Sequence, residues 1–120
     1  MIQELDGVVL RTSKLDAMLE FYSKTLGLEV VKKSKTGAFL SLPKGGSIVL
    51  EAEAEDGGGE SSAFRSFLTF KVADADAAYK KLTERGAKFS KPPKADELGM
   101  GGRVFSTMDP DGNRVGFVQR

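Results

Sequence analysis

The chain has 120 residues, 40 % hydrophobic and 29 % charged, which describes one soluble globular domain able to bury a core without disulfides or a structural metal. Lysine and arginine total 18 against 17 acidic residues, and a formal charge of +1 argues against a nucleic-acid or polybasic membrane surface. No apolar run approaches the roughly 20 residues of a spanning helix. The start MIQELDG lacks the basic and apolar regions of a secretory signal, so a cytoplasmic location is expected.

Residues 5–11 (LDGVVLR) are short and β-branched and read as a strand. Leu15, Met18, Leu19, Tyr22 and Leu26 follow at helical spacing. Ser13 is placed to cap that helix, and Gly27 stands where its end needs a left-handed residue. LEVVKKS from Leu28 is a second strand, Thr36-Gly37 a turn, and AFLSLP from Ala38 a third strand. After Lys44-Gly45-Gly46, SIVLEAEAE puts Ile48, Leu50 and Ala52 on one face and Val49, Glu51 and Glu53 on the other.

Residues 56–62 (DGGGESS) cannot pack a core and read as a linker near the midpoint of the chain. These glycines are no P-loop, since no GKS or GKT follows and no helix begins there. Beyond them SFLTFKV alternates Leu68, Phe70 and Val72 against Phe67, Thr69 and Lys71, as a strand with a helix on one face does. Asp74 caps a helix with the stripe Ala75, Ala78, Tyr79 and Leu82, closed by Gly86. AKFS is read as a short strand, and residues 92–102 as an irregular stretch whose part 97–102 is a candidate lid. RVFSTM and RVGFVQ are strands joined by Asp109-Pro110-Asp111-Gly112-Asn113, a strong hairpin signal.

The halves align at an offset of 60, with Leu10-Arg11 on Phe70-Lys71 and Asp16-Ala17 on Asp76-Ala77. The order strand, helix, three strands therefore occurs twice. The expected fold is α+β: two βαβββ modules, 1–55 and 63–120, within one domain of residues 1–120. They form a curved mixed sheet around a cavity, with the helices on its outer face. Such a concave space is where ligand sites form.

Two absences restrict the chemistry. The chain has no cysteine, hence no thiol nucleophile, zinc knuckle or iron–sulfur cluster, and no histidine, hence no Ser-His-Asp triad and no imidazole ligand. Carboxylates alone suit Mg²⁺, Ca²⁺ or Mn²⁺ better than Zn²⁺, Ni²⁺ or Fe²⁺.

Residues 5–30 (LDGVVLRTSKLDAMLEFYSKTLGLEV), 67–89 (FLTFKVADADAAYKKLTERGAKF) and 105–119 (FSTMDPDGNRVGFVQ) resemble the vicinal-oxygen-chelate superfamily, which contains glyoxalase I, extradiol dioxygenases and bleomycin-resistance proteins. The resemblance covers nearly the whole chain and is specific for the fold rather than for an activity. It implies four metal positions, usually His, Glu, His and Glu. These map onto Gly7, Glu51, Phe67 and Gly116, of which Glu51 alone carries a ligand atom. A single carboxylate makes no metal shell, so no metal and no cofactor are expected. In what it lacks the chain is similar to the bleomycin-resistance-like members, which bind a ligand without metal, usually as homodimers.

Strand parity directs Val9, Arg11, Val49, Glu51, Phe67, Thr69, Lys71, Arg114 and Gly116 into the cavity, and Phe105 is placed with them as a ligand contact. Glu51 is the one candidate general base; the ordinary alternative is an ion pair with Arg11, Lys71 or Arg114. Arg11 and Lys71 suit an anionic ligand group, and Phe67 suits stacking or simply plugs the vacant metal position. The first expectation is a metal-independent small-molecule binder that is a homodimer, with no nucleic-acid or membrane partner. A glyoxalase-like lyase or isomerase using Glu51 or another metal site comes second, and a non-catalytic protein-interaction scaffold third.

Overall fold

The computed structural model describes residues 1–53, 66–95 and 102–120. The expected linker and residues 97–101 of the candidate lid lie outside them. The chain divides into two compact units, Met1–Phe64 and Arg65–Arg120.

The first unit runs β1 (Gly7–Thr12), α1 (Leu15–Glu20), a π-helical turn (Phe21–Thr25), β2 (Glu29–Lys33), β3 (Gly37–Ser41) and β4 (Ser47–Ala52). Its sheet has the order β1-β4-β3-β2, with β1 parallel to β4 and the other pairs antiparallel. The second unit runs β5 (Phe67–Lys71), α2 (Ala75–Glu84), β6 (Lys94–Ala95), β7 (Arg103–Met108) and β8 (Arg114–Gln119). Its order β5-β8-β7-β6, again with one parallel pair, repeats the first. The fold is therefore α+β, two βαβββ modules, each a four-stranded mixed sheet with its helix on one face.

Alternation decides that face. In the first unit Leu10, Ala38, Leu40, Ile48 and Leu50 turn inward and are buried together with Met18 and Tyr22, both fully inaccessible. In the second, Phe105 and Phe117 stack 4.9 Å apart, with Phe89 5.2 Å and Tyr79 5.7 Å from Phe105. Ala75 and Leu82 of α2 are buried in the same layer, and Ala78 and Tyr79 are half-buried. Asp74 caps α2 as expected, its Oδ1 accepting from the Ala77 N–H at 3.0 Å. Gly27 and Gly86 adopt φ of 83° and 100° after the two helical segments, a region that side chains rarely tolerate.

Local expectations fail in three places. Ser13 does not cap α1: the hydroxyl of Thr12 accepts from the Lys14 N–H at 2.9 Å, and no side chain caps the helix itself. Thr12 wins because it is the last, fully buried residue of β1, so its hydroxyl is held in place. The first helix also does not stay α-helical to Leu26. The Ser23 hydroxyl donates to the Leu19 carbonyl at 2.6 Å, and the Leu26 N–H reaches Phe21 O, five residues back, at 2.9 Å. Finally, AKFS forms no strand; the edge strand is Lys94–Ala95, inside the stretch read as irregular. Phe89 is drawn into the aromatic cluster instead, and the Lys88 carbonyl accepts the Thr107 hydroxyl at 2.6 Å.

Candidate functional site

Each sheet has one face toward its helix and one open face, and the sequence-predicted residues other than Phe105 collect on the open faces. In the first unit Val9 stands opposite Val49, and Arg11 opposite Glu51, across the parallel β1–β4 ladder. Arg11 Nε lies 3.7 Å from Glu51 Oε1, with the two side chains 38 % and 52 % exposed. Of the ion-pair partners open to Glu51, the one beside it is Arg11. Solvent screens such a pair. Phe39 of β3 continues the Val9–Val49 row and is 40 % exposed. An open depression of about 450 Å³ is lined by Lys32, Phe39, Val49 and Glu51 among others. Sequence reading omitted Phe39, although its alternation against Ala38 and Leu40 carried the signal.

In the second unit Phe67 stands opposite Arg114, Thr69 opposite Gly116, and Lys71 opposite Val118. Phe67 is 63 % exposed, and the Arg114 guanidinium carbon lies 5.8 Å from the centre of its ring. Arg114 Nη1 donates to the Ser106 hydroxyl at 3.2 Å, a partner that sequence reading missed. The hairpin register pairs Ser106 with Gly116 and so puts it on this face. The same register overturns the placement of Phe105. It pairs with Phe117 and lies in the helix-side aromatic cluster, 6 % exposed. Adjacent strand positions point to opposite faces, so Phe105 cannot share a face with Gly116 and Ser106.

The four metal positions implied by the resemblance can be tested against these ladders. Gly7 opens β1 as Phe67 opens β5. Gly116 is opposite the third residue of β5; its counterpart in the first unit, opposite the third residue of β1, is Val49. Glu51 lies two residues further, about 7 Å along the strand, beside Arg11. By the internal repeat, the residue equivalent to Gly116 is therefore Val49 rather than Glu51. Gly7, Val49, Phe67 and Gly116 offer no side-chain donor, and among the described residues no three His, Cys, Asp or Glu side chains gather to hold an ion. The space is also taken. A β-carbon on Gly116 would stand 3.0 Å from Phe67 Cε1, and one on Gly7 would collide with the Ser47 carbonyl and hydroxyl. These residues do not fit a divalent metal centre of the kind the resemblance implies.

Among the described residues no helix is long and apolar enough to cross a membrane. The family model described as Glyoxalase/Bleomycin resistance protein/Dioxygenase superfamily matches residues 4–117. No protein of curated function matches the sequence. Among solved structures, a member of that superfamily from Sphaerobacter thermophilus is 28 % identical with a TM-score of 0.75, covering 99 % of this chain and 98 % of its own. A lactoylglutathione lyase from Agrobacterium tumefaciens is 18 % identical with a TM-score of 0.79, over 99 % and 95 %. A glyoxalase/bleomycin resistance protein/dioxygenase from Nocardioides is 22 % identical with a TM-score of 0.80, over 99 % and 84 %. The last two likenesses are likenesses of fold.

Proposed function

The chain belongs to the glyoxalase/bleomycin resistance protein/dioxygenase superfamily, and from that premise we propose that it is a metal-independent small-molecule-binding protein that holds an organic ligand on the open faces of its sheets. One observation carries this reading. The positions where the superfamily resemblance implies metal ligands hold Gly7, Val49, Phe67 and Gly116, and the Phe67 ring packs against Gly116. Lewis-acid chemistry needs donor atoms to hold its ion, and these residues have none. What the faces offer instead is exposed apolar and aromatic surface beside charged groups, Val9 with Arg11 and Phe67 with Arg114, a combination suited to binding. Lysine and glutamate ends bordering Phe39 and Val49 give the depression on the first unit the same mixed lining.

A second copy of the chain is the proposed partner. Val9, Val31 and Phe39 are 57 %, 58 % and 40 % exposed on the first sheet, apolar area that symmetric pairing would cover.

The experiment is a thermal-shift screen of the purified protein against a library of organic ligands, with elemental analysis of the same sample. A ligand that binds only the folded state raises stability by RT ln(1 + [L]/Kd). The reading expects stabilising compounds and no stoichiometric metal. A sample carrying one equivalent of Zn²⁺, Ni²⁺ or Fe²⁺, or a library without a single stabilising compound, overturns it.

A further inference from the structure

The two parallel ladders are built alike but charged differently. On the first unit the cation Arg11 faces the carboxylate of Glu51. At the equivalent place on the second unit the cation is kept, as Lys71, but the residue across the ladder is Val118. The row that holds Gly7 and Ser47 in the first unit holds Phe67 and Arg114 in the second. This open face has therefore lost an acid and gained both a ring and a second cation. Lys94, beside Val104, adds a third cation, and no acidic residue occurs in β5, β6, β7 or β8. An anion would find its charge matched here, whereas on the first unit's face the Arg11 cation already has Glu51 beside it.

The geometry around Phe67 narrows the class. Because residue 116 has no side chain, the ring can settle against β8, and 63 % of Phe67 still meets solvent. Arg114 is tethered near it by one N–H to Ser106 and has no ion pair among the described residues. Its remaining N–H groups form the planar fork that matches a carboxylate. We infer that the open face of the β5-β8-β7-β6 sheet is a subsite for an aromatic carboxylate, its arene on Phe67 and its carboxylate on Arg114 and Ser106. The inference rests on the reading of the chain as a small-molecule binder and specifies the ligand class for its second unit.

The test titrates the full-length ¹⁵N-labelled chain with 2-naphthoate and, separately, with the neutral 2-naphthalenemethanol. The naphthoate is expected to shift the amides of Thr69, Ser106 and Gly116 and to bind more weakly as ionic strength rises. Arg114→Gln should weaken naphthoate about ten-fold, the loss of one charge-assisted contact, and leave the neutral compound unchanged. Phe67→Leu, which keeps apolar bulk but removes the aromatic face, should weaken both. Both side chains are exposed, so neither substitution threatens the fold. Naphthoate that fails to bind, that shifts only amides of the first unit, or that ignores Arg114→Gln overturns the inference. If neutral or cationic compounds bind in that case, the small-molecule reading survives; if no compound binds, both fall together.

Discussion

The ring of Phe67 rests against Gly116, its Cε1 3.0 Å from where a β-carbon on residue 116 would stand, while Gly7 lies against the backbone of Ser47. The two glycines thus serve different neighbours. Phe67 is an exposed side chain that can swing aside, so Gly116→Ala should change stability by no more than about 1 kcal/mol. The Ser47 carbonyl belongs to the β1–β4 ladder and cannot yield, so Gly7→Ala should cost about 1–3 kcal/mol. Urea unfolding of the two variants checks this, and equal stabilities would refute the distinction.

The contact between residues 67 and 116 also bears on the lost metal positions. Wild-type protein should show no calorimetric binding of Ni²⁺. Phe67→His with Gly116→Glu puts two donors side by side within one unit, and that double variant should gain weak Ni²⁺ affinity. Two ligands cannot complete a shell, so tight binding is not expected. A folded double variant with no gain would show that the two positions do not face a common point.

The Arg11–Glu51 pair should contribute little to stability. Both side chains are well exposed and the closest approach is 3.7 Å. Glu51→Gln is expected to cost less than about 1 kcal/mol, and less still at high salt. A cost of several kcal/mol in thermal unfolding would mean that the pair is held in a drier setting.

Asp109 presents the opposite case. It is 5 % exposed, and its carboxylate accepts from the Asp111 and Asn113 N–H groups, both at 2.9 Å, and from Asn113 Nδ2 at 2.8 Å. Asn113 Oδ1 in turn accepts from the Ser66 N–H at 2.8 Å, tying the β7–β8 turn to the start of β5. Asp109→Ala leaves buried donors unsatisfied and should cost about 2–4 kcal/mol. Chemical denaturation reads it directly, and a loss below 1 kcal/mol would count against the network.

Sedimentation tests the proposed pairing of two chains. A dimer is expected at micromolar concentration, shifted toward monomer by Val9→Glu, which puts a charge in the exposed apolar row of the first sheet. A wild-type monomer at that concentration defeats the proposal.

Much of the architecture was legible because it is periodic. Alternation in SFLTFKV and SIVLEAEAE separated the helix-side residues from Phe67, Thr69, Lys71, Val49 and Glu51 on the open faces. Asp74 as a cap, Gly27 and Gly86 as helix ends and the 109–113 turn are local, and each needs only its neighbours in the chain. The repeat then supplied the two βαβββ modules, since equal strings of elements fold alike.

What depended on partners far along the chain was not legible. Parity within RVFSTM is ambiguous until its pairing is known, and only the antiparallel register with β8 turned Phe105 toward Phe89 and Phe117. AKFS has the composition of a strand, yet the half-buried Phe89 ring packs against Tyr79 and Phe105, which lie ten and sixteen residues away in the chain. Glu51 looked like a surviving metal ligand because counting along one strand cannot fix its row; the parallel ladder that sets it beside Arg11 joins residues forty apart in sequence. Residue type and periodicity decided which face each side chain takes, because a strand's geometry is a property of the strand. Which side chains stand together on that face was decided by inter-strand register, and register exists only once distant segments have packed.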